Sequence, residues 1–148
     1  MHVVFVCLGN ICRSPMAEAI FTRMVEDAGL SDTISVDSCG TNAYHAGTSA
    51  HPGAIRILEA HGISYDGVSR LVEKNDMDAD YVVCMDSENQ RALEERFAKQ
   101  AILLLDFTDS EETDVPDPYY TSTFDEVYAL IEDGCRGLLE SIREDHGL

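Results

Sequence analysis

The stretch "VCLGNICRSPMAE", residues 6–18, sets two cysteines, a glycine, an asparagine and an arginine between two differently patterned segments. Before it runs the short apolar segment Val3–Val6; after it Met16, Ile20, Met24 and Ala28 recur every four residues, as on one face of a helix. Ser14 followed by Pro15 is a helix-start signal: a capping hydroxyl, then a proline whose missing N–H is harmless in the first turn. Gly9 and Asn10 tolerate left-handed backbone angles, so the chain can curl and aim successive N–H groups inward as an anion-binding nest. The loop runs into a helix N-terminus, where free amides and the macrodipole favour negative charge. Arg13, six positions after Cys7, can grip two oxygens of a phosphate with its planar fork. The same surroundings favour the thiolate of Cys7. A dianion cradle, residues Leu8, Gly9, Asn10, Ile11, Cys12 and Ser14, with a thiolate at its floor suits covalent phosphoryl transfer. The plainer alternative makes Cys7 a buried hydrophobe and Arg13 a surface charge. The bare spacing fits either; the flanking strand and helix signals favour the loop.

Outward from this loop the same alternation continues. Tyr81–Met85 and Ala101–Leu105 are short, nearly continuous apolar runs, as in strands covered on both faces. Ile34 and Val36 alternate with polar residues, as in a strand nearer an edge. Gly29 stops the first helix. Ala54, Ile57, Leu58 and His61 mark a second that ends at Gly62, with His61 expected to pack on its apolar face. Leu93 and Phe97 mark a third, and Phe124, Val127, Ile131, Leu138 and Ile142 a long terminal one. Strands alternating with helices predict an α/β fold: a single doubly wound domain over residues 1–148, with a four-stranded parallel sheet flanked by helices. The phosphate-binding loop then follows the first strand, at the carboxyl end where such folds bind ligands. Thr108–Pro118, "TDSEETDVPDP", is acidic and rich in breakers, and reads as a loop.

The chain has 148 residues, 45% of them hydrophobic, enough for one core. Net charge is −18, from 10 Lys+Arg against 28 Asp+Glu, which argues against nucleic acid and anionic membranes as partners. No signal-peptide pattern follows Met1, and no apolar run is long enough for a membrane span. Five scattered cysteines suit a reduced cytoplasmic protein, monomeric or weakly self-associating. Cys39 (at a loop edge), Cys84 and Cys135 read as core thiols, and no histidine has metal-ligand spacing with them, so neither metal nor other cofactor is expected.

The string "VCLGNICRSPMAE" resembles the signature of low-molecular-weight protein tyrosine phosphatases. "VDSCGT" (36–41), "YVVCMDSEN" (81–89) and "DPYY" (117–120) are similar to further family segments in the same order. The resemblance implies hydrolysis of phosphotyrosine in proteins through a phosphocysteine on Cys7, with Arg13 binding phosphate. It makes Ser14 a hydrogen-bond partner of the thiolate, Asn10 a support of the loop and Asp117 the general acid. Such an acid is needed because a phenolate leaves slowly unless protonated. Tyr119, Tyr120 and, across the cleft, Tyr44 would wall the aromatic substrate. One departure stands out: Gly67 occupies the place of a family histidine that buttresses the loop serine, so Ser14 is expected to rely on Ser38 or a water. Cys12 shares the loop with Cys7, and mild peroxide is expected to join the two reversibly.

Three alternatives compete with this reading. A protein arginine phosphatase shares the loop, but resembles "CTGNTCRS", with threonine at the place of Ile11; Ile11 and the two tyrosines favour a flat aromatic substrate. An arsenate reductase needs two further cysteines a few residues apart, which this chain lacks. A non-catalytic phosphate-binding module would be expected to lose Cys7 or Asp117.

Overall fold

The computed structural model describes residues 1–148. Strands β1 (His2–Cys7), β2 (Ser35–Gly40), β3 (Tyr81–Cys84) and β4 (Ile102–Leu103) form one sheet in the order β2-β1-β3-β4, with every pairing parallel. Helices α1 (Arg13–Asp27), α2 (Pro52–Ala60), α3 (Ser87–Phe97), a single turn α4 (Pro118–Thr121) and α5 (Phe124–His146) complete it.

Both faces of the sheet are covered, which explains the continuous apolar runs. Val3, Phe5 and Cys7 of β1 join a large core with Met16, Ile20 and Phe21 of α1, Leu58 of α2 and Ile131, Leu138 and Ile142 of α5. Val4 and Val6 point the other way, into a smaller core with Cys39, Cys84 and Leu93 of α3. The chain winds from β1 to β2 on one side and to β3 on the other. The crevice beyond the carboxyl ends of β1 and β3 is therefore the switch point where such sheets hold ligands, and residues 7–13 lie there.

The doubly wound expectation holds, and β2 is an edge strand as its alternation suggested. Gly29, at φ 71°, ends α1 as expected: the Leu30 N–H donates to the Val25 carbonyl in a Schellman-type stop. Four details differ. The strand read over Ala101–Leu105 is only Ile102–Leu103; Leu104–Phe107 is a 3₁₀ turn, which buries both Leu104 and Leu105 in the large core. Cys39 lies inside β2, paired with Val6, rather than at a loop edge. A 3₁₀ segment, Lys74–Asp78, had no apolar period to reveal it. His61 caps the end of α2 and stacks flat on Tyr128 at 3.9 Å, but stays exposed.

Gly40 fixes how closely the loop after β1 approaches β2. A β-carbon there would lie 2.8 Å from the Leu8 carbonyl oxygen and 3.1 Å from the Asn10 amide nitrogen, and neither is a flexible group. Gly40→Ala should lower stability by about 1–3 kcal/mol through overpacking and weaken vanadate inhibition at the same time. Urea unfolding and inhibition constants check this; unchanged inhibition would mean that the loop does not depend on this contact.

Candidate active site

The loop's backbone is held by its carbonyls. Those of Cys7 and Leu8 accept from the N–H groups of Thr41 and Asn42, that of Ile11 from His51, and that of Cys12 from Met16. The Asn10 N–H donates to Cys7 Sγ at 3.3 Å, while those of Leu8, Gly9, Ile11 and Cys12 have no protein acceptor. Asn10 adopts φ 55°, the left-handed conformation that curls the loop; Gly9 does not, and serves by its small size beside the His45 ring. The nest is therefore built on Asn10.

Helix α1 begins at Arg13, one residue before the expected cap, so Ser14 lies in its first turn and caps nothing. Its hydroxyl is used elsewhere: Ser14 Oγ lies 3.0 Å from Cys7 Sγ and accepts from Asn10 Nδ2 at 2.7 Å. The second Nδ2 hydrogen reaches Ser38 Oγ at 3.0 Å, and Asn10 Oδ1 accepts the Arg70 N–H at 3.0 Å. Ser14 thus has the support expected from Ser38, but through Asn10 rather than directly.

Arg13 is buried, and its guanidinium is aimed by the neighbouring elements. Nη1 donates to Asp86 Oδ2 at 2.6 Å and to the Val115 carbonyl at 2.9 Å; Nη2 lies 3.5 Å from Asp117 Oδ2. Burial opposes the charge, yet Cys7, Asp86 and Asp117 together hold the guanidinium above its ordinary value. Asp86 does double duty, since Oδ1 also accepts the Asn89 N–H and caps α3. The acidic loop is fastened at the same place. Asp114 accepts from the N–H and hydroxyl of Ser87, and the Val115 N–H donates to the Met85 carbonyl. That anchoring brings Asp117 over the cradle. Its Oδ1 accepts the Tyr119 N–H at 3.0 Å, capping α4.

A cleft of about 330 Å³ is lined by Cys7, Leu8, Gly9, Ile11, Cys12, Arg13, Asn42, Tyr44, His45, Asp117, Tyr119 and Tyr120. Every residue expected from the sequence to be catalytic or to bind substrate gathers here except Asn10 and Ser14, which brace the loop from behind. Tyr119, 46% exposed, forms one wall, with its ring 5.8 Å from that of His45 and 6.0 Å from that of His51. Tyr44 and Tyr120 are rims, 85% and 74% exposed. Asn42, His45 and Asp86 were missed by sequence reasoning. No local pattern marks His45, whereas Asp86, directly after a buried strand and opening a helix, had a readable capping position.

The remaining cysteines offer no relay. Cys39 and Cys84 both pair with Val6, from the strands on either side of β1, so two strand spacings separate them, about 10 Å. Cys135 lies in the core on the opposite face. Burial, then the charges of Asp117 and Cys7, push the Cys12 thiol up to about 12, although Arg13 pulls it down; burial also raises Cys39, Cys84 and Cys135.

A loop of this form with a thiol at its floor, at the switch point of a four-stranded parallel sheet, is the arrangement that suits a cysteine-dependent phosphatase. The chain belongs to the low molecular weight phosphotyrosine protein phosphatase family, whose pattern matches residues 2–147. It is 46% identical to the low molecular weight protein-tyrosine-phosphatase YfkJ of Bacillus subtilis, over 100% of this chain and 99% of the relative. The corresponding PtpA of Staphylococcus epidermidis is 44% identical over 100% of this chain and 97% of its own length. The crystal structure of the Bacillus protein superposes with a TM-score of 0.95, covering 99% of this chain and 96% of that one. A Drosophila arginine phosphatase shares the fold at TM-score 0.90 and 30% identity, covering 97% and 98%.

The thiol environments give a direct expectation. Iodoacetamide at neutral pH should modify Cys7 alone, and inorganic phosphate should slow it. Mass spectrometry showing modification spread over several cysteines would contradict the site described.

Proposed function

We propose that the protein hydrolyses phosphotyrosine in protein substrates through a phosphocysteine on Cys7. Arg13 and the free loop amides hold the three non-bridging phosphoryl oxygens. The Cys7 thiolate attacks phosphorus as Asp117 gives its proton to the departing phenolic oxygen. Water then attacks the phosphocysteine, Asp117 takes the water's proton, and Cys7 leaves as a thiolate steadied by the Ser14 hydroxyl and the Asn10 N–H. Positive charge comes from Arg13 and the amides, a donor set that requires no metal. The observation that carries this reading is Cys7 Sγ at the cleft floor, 3.0 Å from Ser14 Oγ, with Asp117 near Arg13 above it.

A phosphoarginine substrate is the second reading, favoured by the shared fold of the Drosophila arginine phosphatase. Ile11 and the tyrosine walls support the aromatic substrate instead, since an apolar side chain leaves the guanidinium N–H groups of phosphoarginine unpaired. No helix is long and apolar enough to cross a membrane. The five free thiols support a reduced, cytoplasmic setting, and the charge of −18 supports a monomer or weak self-association without nucleic acid.

Cys7→Ser should cut turnover by at least about 100-fold while vanadate still binds, because the cradle remains. Asp117→Asn should cost about 10²–10⁴-fold on phosphotyrosine, and less on aryl phosphates with acidic phenols. An equal loss on both would make Asp117 structural. Matched phosphotyrosine and phosphoarginine peptides compared by kcat/KM decide the substrate; preference for phosphoarginine would overturn the first reading.

A further inference from the structure

Behind the loop, the hydrogen bonds from Cys7 continue to a tyrosine with no assigned role. A β-carbon at Gly67 would lie 2.2 Å from Tyr65 Oη and 2.4 Å from Cζ, so the Tyr65 ring occupies the space beside position 67. Its hydroxyl donates to Glu18 Oε1 at 3.0 Å. The same oxygen accepts from Ser38 Oγ at 2.5 Å, and Ser38 is the residue to which Asn10 donates.

The directions of the hydrogens in this chain follow from two fixed ends, the Glu18 carboxylate and the Arg70 N–H that Asn10 Oδ1 accepts. An ionised carboxylate can only accept, so Ser38 spends its one hydrogen on Glu18 and must accept from Asn10. The Asn10 amide cannot turn over, because its oxygen faces the Arg70 N–H. Its two Nδ2 hydrogens go to Ser38 and Ser14. Ser14 therefore already accepts, and its single hydrogen is free for Cys7 Sγ at 3.0 Å in preference to the Cys39 carbonyl at 3.4 Å.

We infer that Tyr65 is a positioning residue which, through Glu18 and Ser38, holds the Asn10 amide against Ser14, so that the Ser14 hydrogen is left for Cys7. The inference rests on Cys7 being the nucleophile. If Glu18 takes up a proton it becomes a weaker acceptor for Ser38 and Tyr65, and the hold on Asn10, and through it on Ser14, loosens. Burial raises the Glu18 carboxyl above its usual range, while the bonds from Ser38 and Tyr65 pull it down. Around it, Asp37 of β2 raises it further and Arg70 lowers it; Arg23 and Glu26 of α1 and Asp66 share the small solvent cleft that Glu18 and Tyr65 line. Loss of the tyrosine donor disfavours the charged form, so protonation of Glu18 moves to higher pH.

Tyr65→Phe keeps the ring and removes only the donor. It should lower kcat about tenfold with KM little changed, and move the acid limb of the kcat profile to higher pH. In a Glu18→Gln background the same change should no longer move that limb. Gly67→Ala should lower kcat by displacing the ring, but cost nothing further in a Tyr65→Ala background. The rate of Cys7 alkylation by iodoacetamide against pH gives a readout that needs no turnover: the Tyr65→Phe profile should also shift to higher pH. If the wild type proved inactive on phosphotyrosine, the functional reading would fail and the alkylation profile would still judge this one. A folded Tyr65→Phe protein with both profiles unchanged, or with a pH-independent loss matched by a lower unfolding midpoint, overturns the inference.

Discussion

With the carbonyls of Cys7, Leu8, Ile11 and Cys12 all taken by amides outside the loop, the backbone of residues 8–12 has mainly N–H groups left to present. That constraint makes a phosphate site from a segment carrying one basic side chain. It depends on β2, whose end supplies Gly40 for close approach and whose continuation supplies the Thr41 and Asn42 donors. It also depends on Asn10, the loop residue in the left-handed region, whose side chain is bonded at both ends. The parallel sheet matters because it places β1, β2 and β3 with their carboxyl ends at one crevice.

Charge is arranged within this frame. Arg13 is the only lysine or arginine lining the cleft of a protein at −18, and it is buried against Asp86. A buried pair contributes little net stability once desolvation is counted, so its clearer effect is direction. Asp86 and the Val115 carbonyl together fix one end of the guanidinium and leave its other edge toward Asp117 and the cleft. The Asp114–Ser87 contact ties the acidic loop to the start of α3, near the residue that aims Arg13. Cys7, Arg13 and Asp117 are thereby placed by three loops that share hydrogen bonds.

Much of this was legible in the sequence because it rests on local rules. The strand, curl and helix around residues 6–18 follow from apolar run, Asn10 and Ser14-Pro15, and the switch-point position follows from strand–helix alternation. What escaped depends on contacts between distant segments. Ser14 reads as a cap, but a thiol seven residues earlier competes for its hydroxyl. Leu104 and Leu105 read as strand because a continuous apolar run does not reveal its period, and packing against α5 turned them into a 3₁₀ segment. His45 carries no pattern, and its place beside Tyr119 exists only once two loops meet. Tyr65 was invisible for a related reason: the absence of a side chain at Gly67 matters only because a neighbour fills the space.

If the loop delivers phosphate to Cys7 and Asp117 acts on groups leaving from it, the phosphoryl group passes through a covalent Cys7 intermediate. Rapid acid quenching of the Asp117→Asn protein with a good aryl phosphate, followed by peptide mass spectrometry, tests it directly. A phosphoryl group on the peptide bearing Cys7, appearing within the first turnover and absent from Cys7→Ser, is the expected result. A phosphoryl group on Ser14 or Cys12, or turnover with no covalent phosphoenzyme, would contradict the account.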